Sequence, residues 1–310
     1  MAIPERETYY ISRVEAILEN ILGANNVIVP PESLIEELLQ CWLYGDPFTD
    51  TVITDARNVK ALIAIVNGET YDEEPTSEIE ALLKAIANDD DPDPAFLPPK
   101  SRNGKLLLEI FNKRLPDEFQ RCEWIESDGD QYINSGIIGT QDFGFEIEFI
   151  PYNAMSQSGY GTMFASRYAS TNDELLFTTY TASGTGFKGT IGYGTKRHNA
   201  HLTRNEINVA SVKNKIYYAP DGSETDLSEG GEFETPEPIT IFALNQRGTI
   251  SQYGRMRLKK YRTFNVRKRT RSFITVYRKA DVEIGLYDTV GKRFYPNEGT
   301  GSFTKGPDVN

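Results

Sequence analysis

The chain has 310 residues, 39% of them hydrophobic, and carries a net charge of −12 at neutral pH. That length allows two domains with one core each, and no apolar run approaches the ~20 residues that span a bilayer. A membrane partner is therefore not expected. Met1-Ala2-Ile3-Pro4-Glu5-Arg6-Glu7 lacks the basic start and apolar stretch of a signal peptide, which predicts a soluble chain made in the cytoplasm. Cys41 and Cys122 fall in different halves and read as two reduced thiols.

The charge is unevenly spread. Residues 1–118 hold 10 Lys/Arg against 23 Asp/Glu, a balance of −13, whereas the remainder holds 23 against 22. Nucleic-acid binding by the first part is not expected, because neutralising phosphates takes Lys and Arg. The same part repeats itself. Ser12-Arg13-Val14-Glu15-Ala16-Ile17-Leu18 aligns with segments opening at Ser33, Ala56, Ser77 and Ser101, spaced 21, 23, 21 and 24 residues apart. Most units open on Ser, often with Glu three residues on, the pattern of a capping box. Apolar residues follow at helical spacing, as in Val14, Ile17, Leu18 and Ile21. Pro30-Pro31, Pro75 and Pro98-Pro99 separate the units, since proline cannot continue a helix.

Helices of about ten residues do not persist alone in water. Each must bury its stripe, and two arrangements satisfy that need. The stripes can face each other in one helical domain, or each unit can dock into an equivalent groove of a symmetric assembly. The polar spacers Gly45-Asp46-Pro47 and Asp89-Asp90-Asp91-Pro92-Asp93-Pro94 leave room for the second. Asp89, Asp91 and Asp93 begin like a calcium loop, but Pro94 occupies the place of the turn glycine and Lys100 that of the closing glutamate. The stretch reads as an acidic, solvated linker.

From Phe143 the period changes to two: Phe143, Phe145, Ile147 and Phe149 alternate with Gly144, Glu146, Glu148 and Ile150. Further strands are expected over 162–168, 175–181, 189–196, 206–212, 215–218, 239–244, 255–266 and 272–279. Asp221-Gly222, Gly230-Gly231 and Arg247-Gly248 mark turns between them. Many short strands with this punctuation predict an antiparallel sandwich.

Four features invite chemistry. Gly184-Thr185-Gly186-Phe187-Lys188-Gly189 has dinucleotide-binding spacing, but Thr190-Ile191-Gly192-Tyr193-Gly194 then reads as strand, where that chemistry needs a helix N-terminus. A glycine-rich β connection is expected, and no cofactor. His198 and His201 are the two histidines; without nearby Cys or a third ligand, no metal site is expected and no Ser-His-Asp arrangement is visible. Glu146 and Glu148 share a strand face, as paired acids would. Arg257, Lys259, Lys260, Arg262, Arg267, Lys268, Arg269 and Arg271 form a basic stretch around Tyr261 and Phe264. It fits a nucleic-acid surface, a solvent face that discourages edge aggregation, or a contact with the acidic repeats of a neighbouring subunit. The last suits the charge split of the chain.

Two segments carry a resemblance. Glu123-Trp124-Ile125-Glu126-Ser127-Asp128-Gly129-Asp130-Gln131-Tyr132-Ile133-Asn134-Ser135-Gly136 pairs with a C-terminal stretch containing Ile284-Gly285-Leu286-Tyr287-Asp288, Lys292-Arg293-Phe294-Tyr295 and Gly299-Thr300-Gly301-Ser302-Phe303-Thr304-Lys305-Gly306-Pro307. Over roughly residues 120–308 this resembles the concanavalin A-like (laminin-G-like) jelly-roll domains of many phage virion and bacterial surface proteins. The resemblance implies that the first segment is an N-terminal strand lying beside the closing strand. Laminarinase-like relatives hydrolyse glycans with paired carboxylates, but they place an Asp between the pair and a third carboxylate further along. Glu146-Ile147-Glu148-Phe149-Ile150-Pro151 departs from that, so no catalytic residue is expected. The Ser-Arg-x-Glu units, seen here as Ser12-Arg13-Val14-Glu15, resemble those opening many appendage proteins of gut phages. The expectation is an α+β multidomain chain: five short helical repeats over 1–118, then an antiparallel β-sandwich of concanavalin A-like jelly-roll type over 119–310. The implied function is a non-enzymatic virion structural protein (head fibre, decoration or tail appendage), made in the host cytoplasm and homo-oligomeric. It would be anchored to other virion proteins by its repeats, with weak attachment to host or mucus glycans and no nucleic acid. The alternative is a bacterial carbohydrate-binding surface protein.

Overall fold

The computed structural model describes residues 12–23, 30–44, 46, 48, 54–112, 115–152, 160–168, 174–182, 186–265 and 268–309. The chain divides between Arg114 and Leu115 into two units. The first contains five short helices, α1 (Arg13–Ile21), α2 (Leu34–Tyr44), α3 (Arg57–Asn67), α4 (Glu78–Asn88) and α5 (Arg102–Asn112).

Serine starts four of them for a common reason: its hydroxyl takes up a backbone N–H left orphaned by the first turn. Ser12 Oγ accepts from Glu15 N at 3.2 Å, Ser33 from Glu36 at 3.3 Å, Ser77 from Glu80 at 3.3 Å and Ser101 from Gly104 at 3.0 Å. The reciprocal carboxylate bond of a full capping box forms in α1, where Ser12 N donates to Glu15 at 3.3 Å. Helix α5 solves the same problem with a borrowed group. Its third position is Gly104, where a Cβ would come within 2.8 Å of Pro99. The carboxylate comes from the neighbouring helix instead: Lys100 N and Ser101 N donate to Glu78 at 2.7 and 2.8 Å. The Ser101 hydroxyl and these two N–H groups hold the Glu78 carboxyl below its usual range.

Each helix packs on the next, and α5 packs back on α1. The closing contact repeats an internal one. Arg13 reaches Glu36 at 3.2 Å, and Arg102 reaches Glu15 at 3.4 Å, the corresponding residues one helix on. Arg13 also donates to the Pro30 carbonyl, as Arg57 does to the Glu74 carbonyl, each four residues before a helix begins. Asn88, at the end of α4, holds buried Tyr71 by two backbone bonds of 2.7 and 2.8 Å. The five stripes therefore share one core that includes Leu18, Leu38, Leu62, Leu82, Ile86 and Leu107. Of the two arrangements open from sequence, the stripes face each other. The acidic linker is solvated at Asp90, Asp91 and Asp93 but is tied down at two points. Asp89 is buried in the left-handed cap of α4, and Asp93 caps the turn at Pro94–Phe96 through Ala95 N at 2.9 Å. Gly45 and Pro47 of the other spacer lie outside the described residues.

The second unit contains β1 (Phe119–Arg121), β2 (Ile125–Ser127), β3 (Ile133–Asn134), β4 (Phe143–Pro151), β5 (Tyr160–Arg167), β6 (Glu174–Ala182), β7 (Gly186–Gly194), β8 (Lys196–His201), β9 (Asn208–Lys213) and β10 (Ile216–Tyr218). There follow β11 (Glu224–Asp226), β12 (Thr240–Ile241), β13 (Leu244–Gln246), β14 (Thr249–Ser251), β15 (Met256–Asn265), β16 (Lys268–Arg278), β17 (Ile284–Asp288), β18 (Arg293–Pro296) and β19 (Thr304–Lys305). One sheet runs β11-β10-β9-β4-β15-β16-β17-β18, with β1 on β16 and β2 between β15 and β19; the other runs β14-β13-β5-β6-β7-β8, with β12 joining β3 to β5. Pairing is antiparallel except between β13 and β5. The two sheets face each other across an aromatic core, in which Phe145 of one lies 4.8 Å from Phe164 of the other and Phe149 lies 5.6 Å from Phe177. The chain is thus a set of short helices followed by a β-sandwich. The stretch 239–244, read from sequence as one strand, is broken: Phe242 has a positive φ of 70°, and both Thr240 and Leu244 pair with Ala165.

The first and last segments of the sandwich meet. Thr304 pairs with Glu126 and Lys305 with Ile125. Glycines make the approach possible. A Cβ on Gly299 would fall 2.2 Å from the Asp130 carbonyl, and one on Gly306 would fall 2.7 Å from Trp124. Phe303 then enters the core, 5.0 Å from Phe242. Burial pushes the Cys122 thiol in this region up to about 11.

Two outcomes test this packing. Residues 1–114 expressed alone should melt cooperatively, and Leu82→Ala should cost about 2–5 kcal/mol because it empties a shared core; a gradual melt indifferent to Leu82→Ala would mean the helices do not support one another. Gly299→Ala should destabilise the full chain by about 1–3 kcal/mol through overpacking, measured by urea denaturation. No loss would show that the C-terminal segment is not seated on Asp130.

Candidate functional site

The paired glutamates lie on the outer face of β4, opposite the buried Phe145, Ile147 and Phe149. Each is engaged by cations of the neighbouring strand. Glu146 meets Arg262 at 3.0 Å and Lys260 at 3.8 Å, with Lys213 at 4.0 Å, while Glu148 meets Lys259 at 2.8 Å. A bulge between Leu258 and Lys260 lets two consecutive lysines of β15 serve the two carboxylates. Arg262 is 2% exposed, so its partner Glu146 balances a buried charge.

The basic stretch is matched the same way. Arg257 pairs with Glu126 at 2.8 Å and lies 3.9 Å from the centre of the Trp124 ring, and Arg271 pairs with Asp288 at 3.3 Å. Much of its charge is thus answered within its own sheet. Arg267 lies outside the described residues. His198 and His201 sit three apart on β8 and so project to opposite faces. His198 lies beside Tyr217, at 6.1 Å, and His201 N donates to Asp221 at 2.9 Å. Among the described residues, no group of three His, Cys, Asp or Glu side chains is placed to hold a metal ion. In the glycine-rich motif Gly184 and Thr185 lie outside the described residues, and from Gly186 the chain is strand β7, paired with β6.

A different cluster, absent from any short motif, crosses the outer face of the smaller sheet. Glu174 opens β6 and is fully buried, yet it faces away from the core. It is held by Arg197 of β8 through two bonds of 2.6 Å. The strand between them contributes Gly192, where a Cβ would come within 2.4 Å of Glu174, so the glycine is what allows the pair to meet across β7. On the other side Arg167 of β5 donates twice to Gln246 of β13, at 3.2 and 2.9 Å. Next to Arg167, Tyr168 is 47% exposed, and the Arg247 guanidinium lies 4.5 Å from its ring centre. Arg247 and Gly248 take positive φ angles of 54° and 82° in the β13–β14 turn, which aims Arg247 at Tyr168. The result is a row of planar hydrogen-bonding groups on paired strands, with Tyr168 and Arg247 just past the ends of β5 and β13.

No protein family and no curated protein matches the chain. Among solved structures it is similar to a candidate carbohydrate-binding protein from Bacteroides ovatus (TM-score 0.38, 10% identity, 63% of this chain and 62% of that one). It is similar also to a heptameric SAP-like pentraxin from Limulus polyphemus (TM-score 0.34, 6% identity, 47% and 76%). A third is the enzymatically active domain of tailspike protein 2 from bacteriophage CBA120 (TM-score 0.29, 12% identity, 46% and 25%). Likenesses of this size carry no argument about function, and the sandwich rests on the pairings described above.

The two glutamates should separate in mutagenesis. Glu148→Gln loses a half-buried pair whose lysine still reaches solvent, and should cost about 1 kcal/mol or less. Glu146→Gln leaves buried Arg262 without its carboxylate and should cost about 3–5 kcal/mol. Equal, small effects in thermal unfolding would contradict the burial of Arg262.

Proposed function

We propose that this chain is a non-enzymatic structural component of a virion, a head fibre, decoration or tail appendage, whose helical unit anchors it and whose sandwich attaches weakly to glycans. The observation that carries the glycan part is the row Gln246–Arg167 beside Tyr168, on which Arg247 stacks. A sugar presents an apolar ring face and a set of vicinal hydroxyls. An exposed tyrosine supports the first, and planar side chains with fixed donors and acceptors read the second. With Tyr168 as its exposed ring, the site suits millimolar affinity strengthened by many copies on one particle.

A binding role rather than hydrolysis is supported by the state of the carboxylates. Glu174 is fixed by two bonds to Arg197 and Glu146 by Arg262, so neither is placed as a proton donor to a leaving group. The anchoring role is supported by the helical unit, an acidic body with its own core, and by the Ser-Arg-x-Glu resemblance of its opening.

A glycan panel probed with the multivalent, bead-coupled chain should show retention by some host or mucus polysaccharide, lost in Tyr168→Ala and in Arg247→Ala without a change in melting temperature. No reducing sugar should be released. Retention unaffected by both substitutions would move the site elsewhere, and sugar release would make the chain a depolymerase. Antibody labelling of particles in electron micrographs tests the virion role; label confined to a bacterial envelope would favour the carbohydrate-binding surface protein.

A further inference from the structure

The helical unit encloses a half-open cavity of about 230 Å³. Its walls repeat the order of the chain, because each helix contributes its second and sixth residues. The sixth positions are Leu18, Leu39, Leu62, Leu83 and Leu107, a ring of five buried leucines. The second positions are Val14, Ile35, Asn58, Ile79 and Asn103. Three repeats thus place an aliphatic group at the rim, and two place an amide there.

The amides differ. Asn58 Oδ1 accepts from Val59 N at 3.0 Å. Asn103 Oδ1 is buried and has no hydrogen-bond partner. A buried acceptor left unmet is costly, and an aliphatic residue at the same position, as in α1, α2 and α4, would avoid that cost. The arrangement makes sense when something else brings the donor. The size of the cavity narrows what that is: an apolar cavity of about 150 Å³ takes up benzene, and this one is larger by about the volume of a second fused ring. Its leucine floor suits a flat hydrocarbon surface.

We infer that the cavity is a binding site for an indole ring, whose faces pack on the five leucines and whose N–H donates to Asn103 Oδ1. This holds independently of the virion reading, since it rests on the helical unit alone and is read on the free chain.

Calorimetric titration of the full chain tests it with three probes and two variants. Free indole should bind saturably, at least fivefold more tightly than naphthalene, a flat bicycle of similar size with no donor. Asn103→Leu should remove that preference while leaving naphthalene binding intact. Leu83→Phe, which fills the cavity, should weaken both rings by tenfold or more. Should Leu83→Phe fail to fold, the Asn103→Leu comparison still decides. N-acetyltryptophanamide and free indole separate two sources of the ring: equal binding assigns the site to a partner's tryptophan side chain, and exclusion of the amide assigns it to a free small molecule. Absence of saturable indole binding overturns the inference. So does indole binding that keeps its preference over naphthalene in Asn103→Leu.

Discussion

The β unit depends on one contact, the seating of the glycine-rich C-terminal segment on the segment that opens the sandwich. Thr304 and Lys305 add a strand to Glu126 and Ile125, and the Gly299 and Gly306 backbones lie where any side chain would collide with Asp130 or Trp124. Much else follows from that seating. Phe303 is carried into the core against Phe242, and β2 is covered on the side away from β15, so a strand edge that would otherwise offer unpaired N–H and C=O groups is closed. Trp124, covered by Gly306 and by the Arg257 guanidinium, completes the closure rather than offering its ring to a ligand.

The helical unit obeys the same logic with different chemistry. Helices of nine to eleven residues gain stability from packing rather than from propensity, and a row of five would leave two outer faces bare. Returning α5 to α1 removes both. The arginine at the first position of α5 reaches the glutamate at the third position of α1, as its counterpart in α1 reaches α2. Closure of this kind leaves an axis, and the axis is where the five leucines meet and the cavity forms.

Local features of both units were legible in the sequence because their causes are local. Serine caps, helical spacing and the Phe143–Phe149 alternation each depend on residues a few positions apart, and the helices begin one residue after the capping positions read from the sequence. The capping boxes were legible only in part, because Glu78 acts across helices and Gly104 stands where α5 would carry its own acid. The burial of Arg262 escaped alternation, which separates the two faces of a strand but does not register how far a face is covered. The row formed by Arg167, Glu174, Arg197 and Gln246 escaped for another reason: its members come from four strands, and Gly192, which lets two of them meet, looks in sequence like any other strand glycine.

Closure of the sandwich by its last segment is the claim on which the account rests, and amide hydrogen exchange on the intact chain tests it directly. The backbone N–H groups of the β2–β19 pair should exchange with the slowest class, alongside those of β4 and β15, because opening that pair exposes the Phe303 core and requires global unfolding. Exchange at β19 faster by several orders of magnitude than at β4, with β4 unaffected, would show that the C-terminal segment frays independently and that the sandwich closes without it.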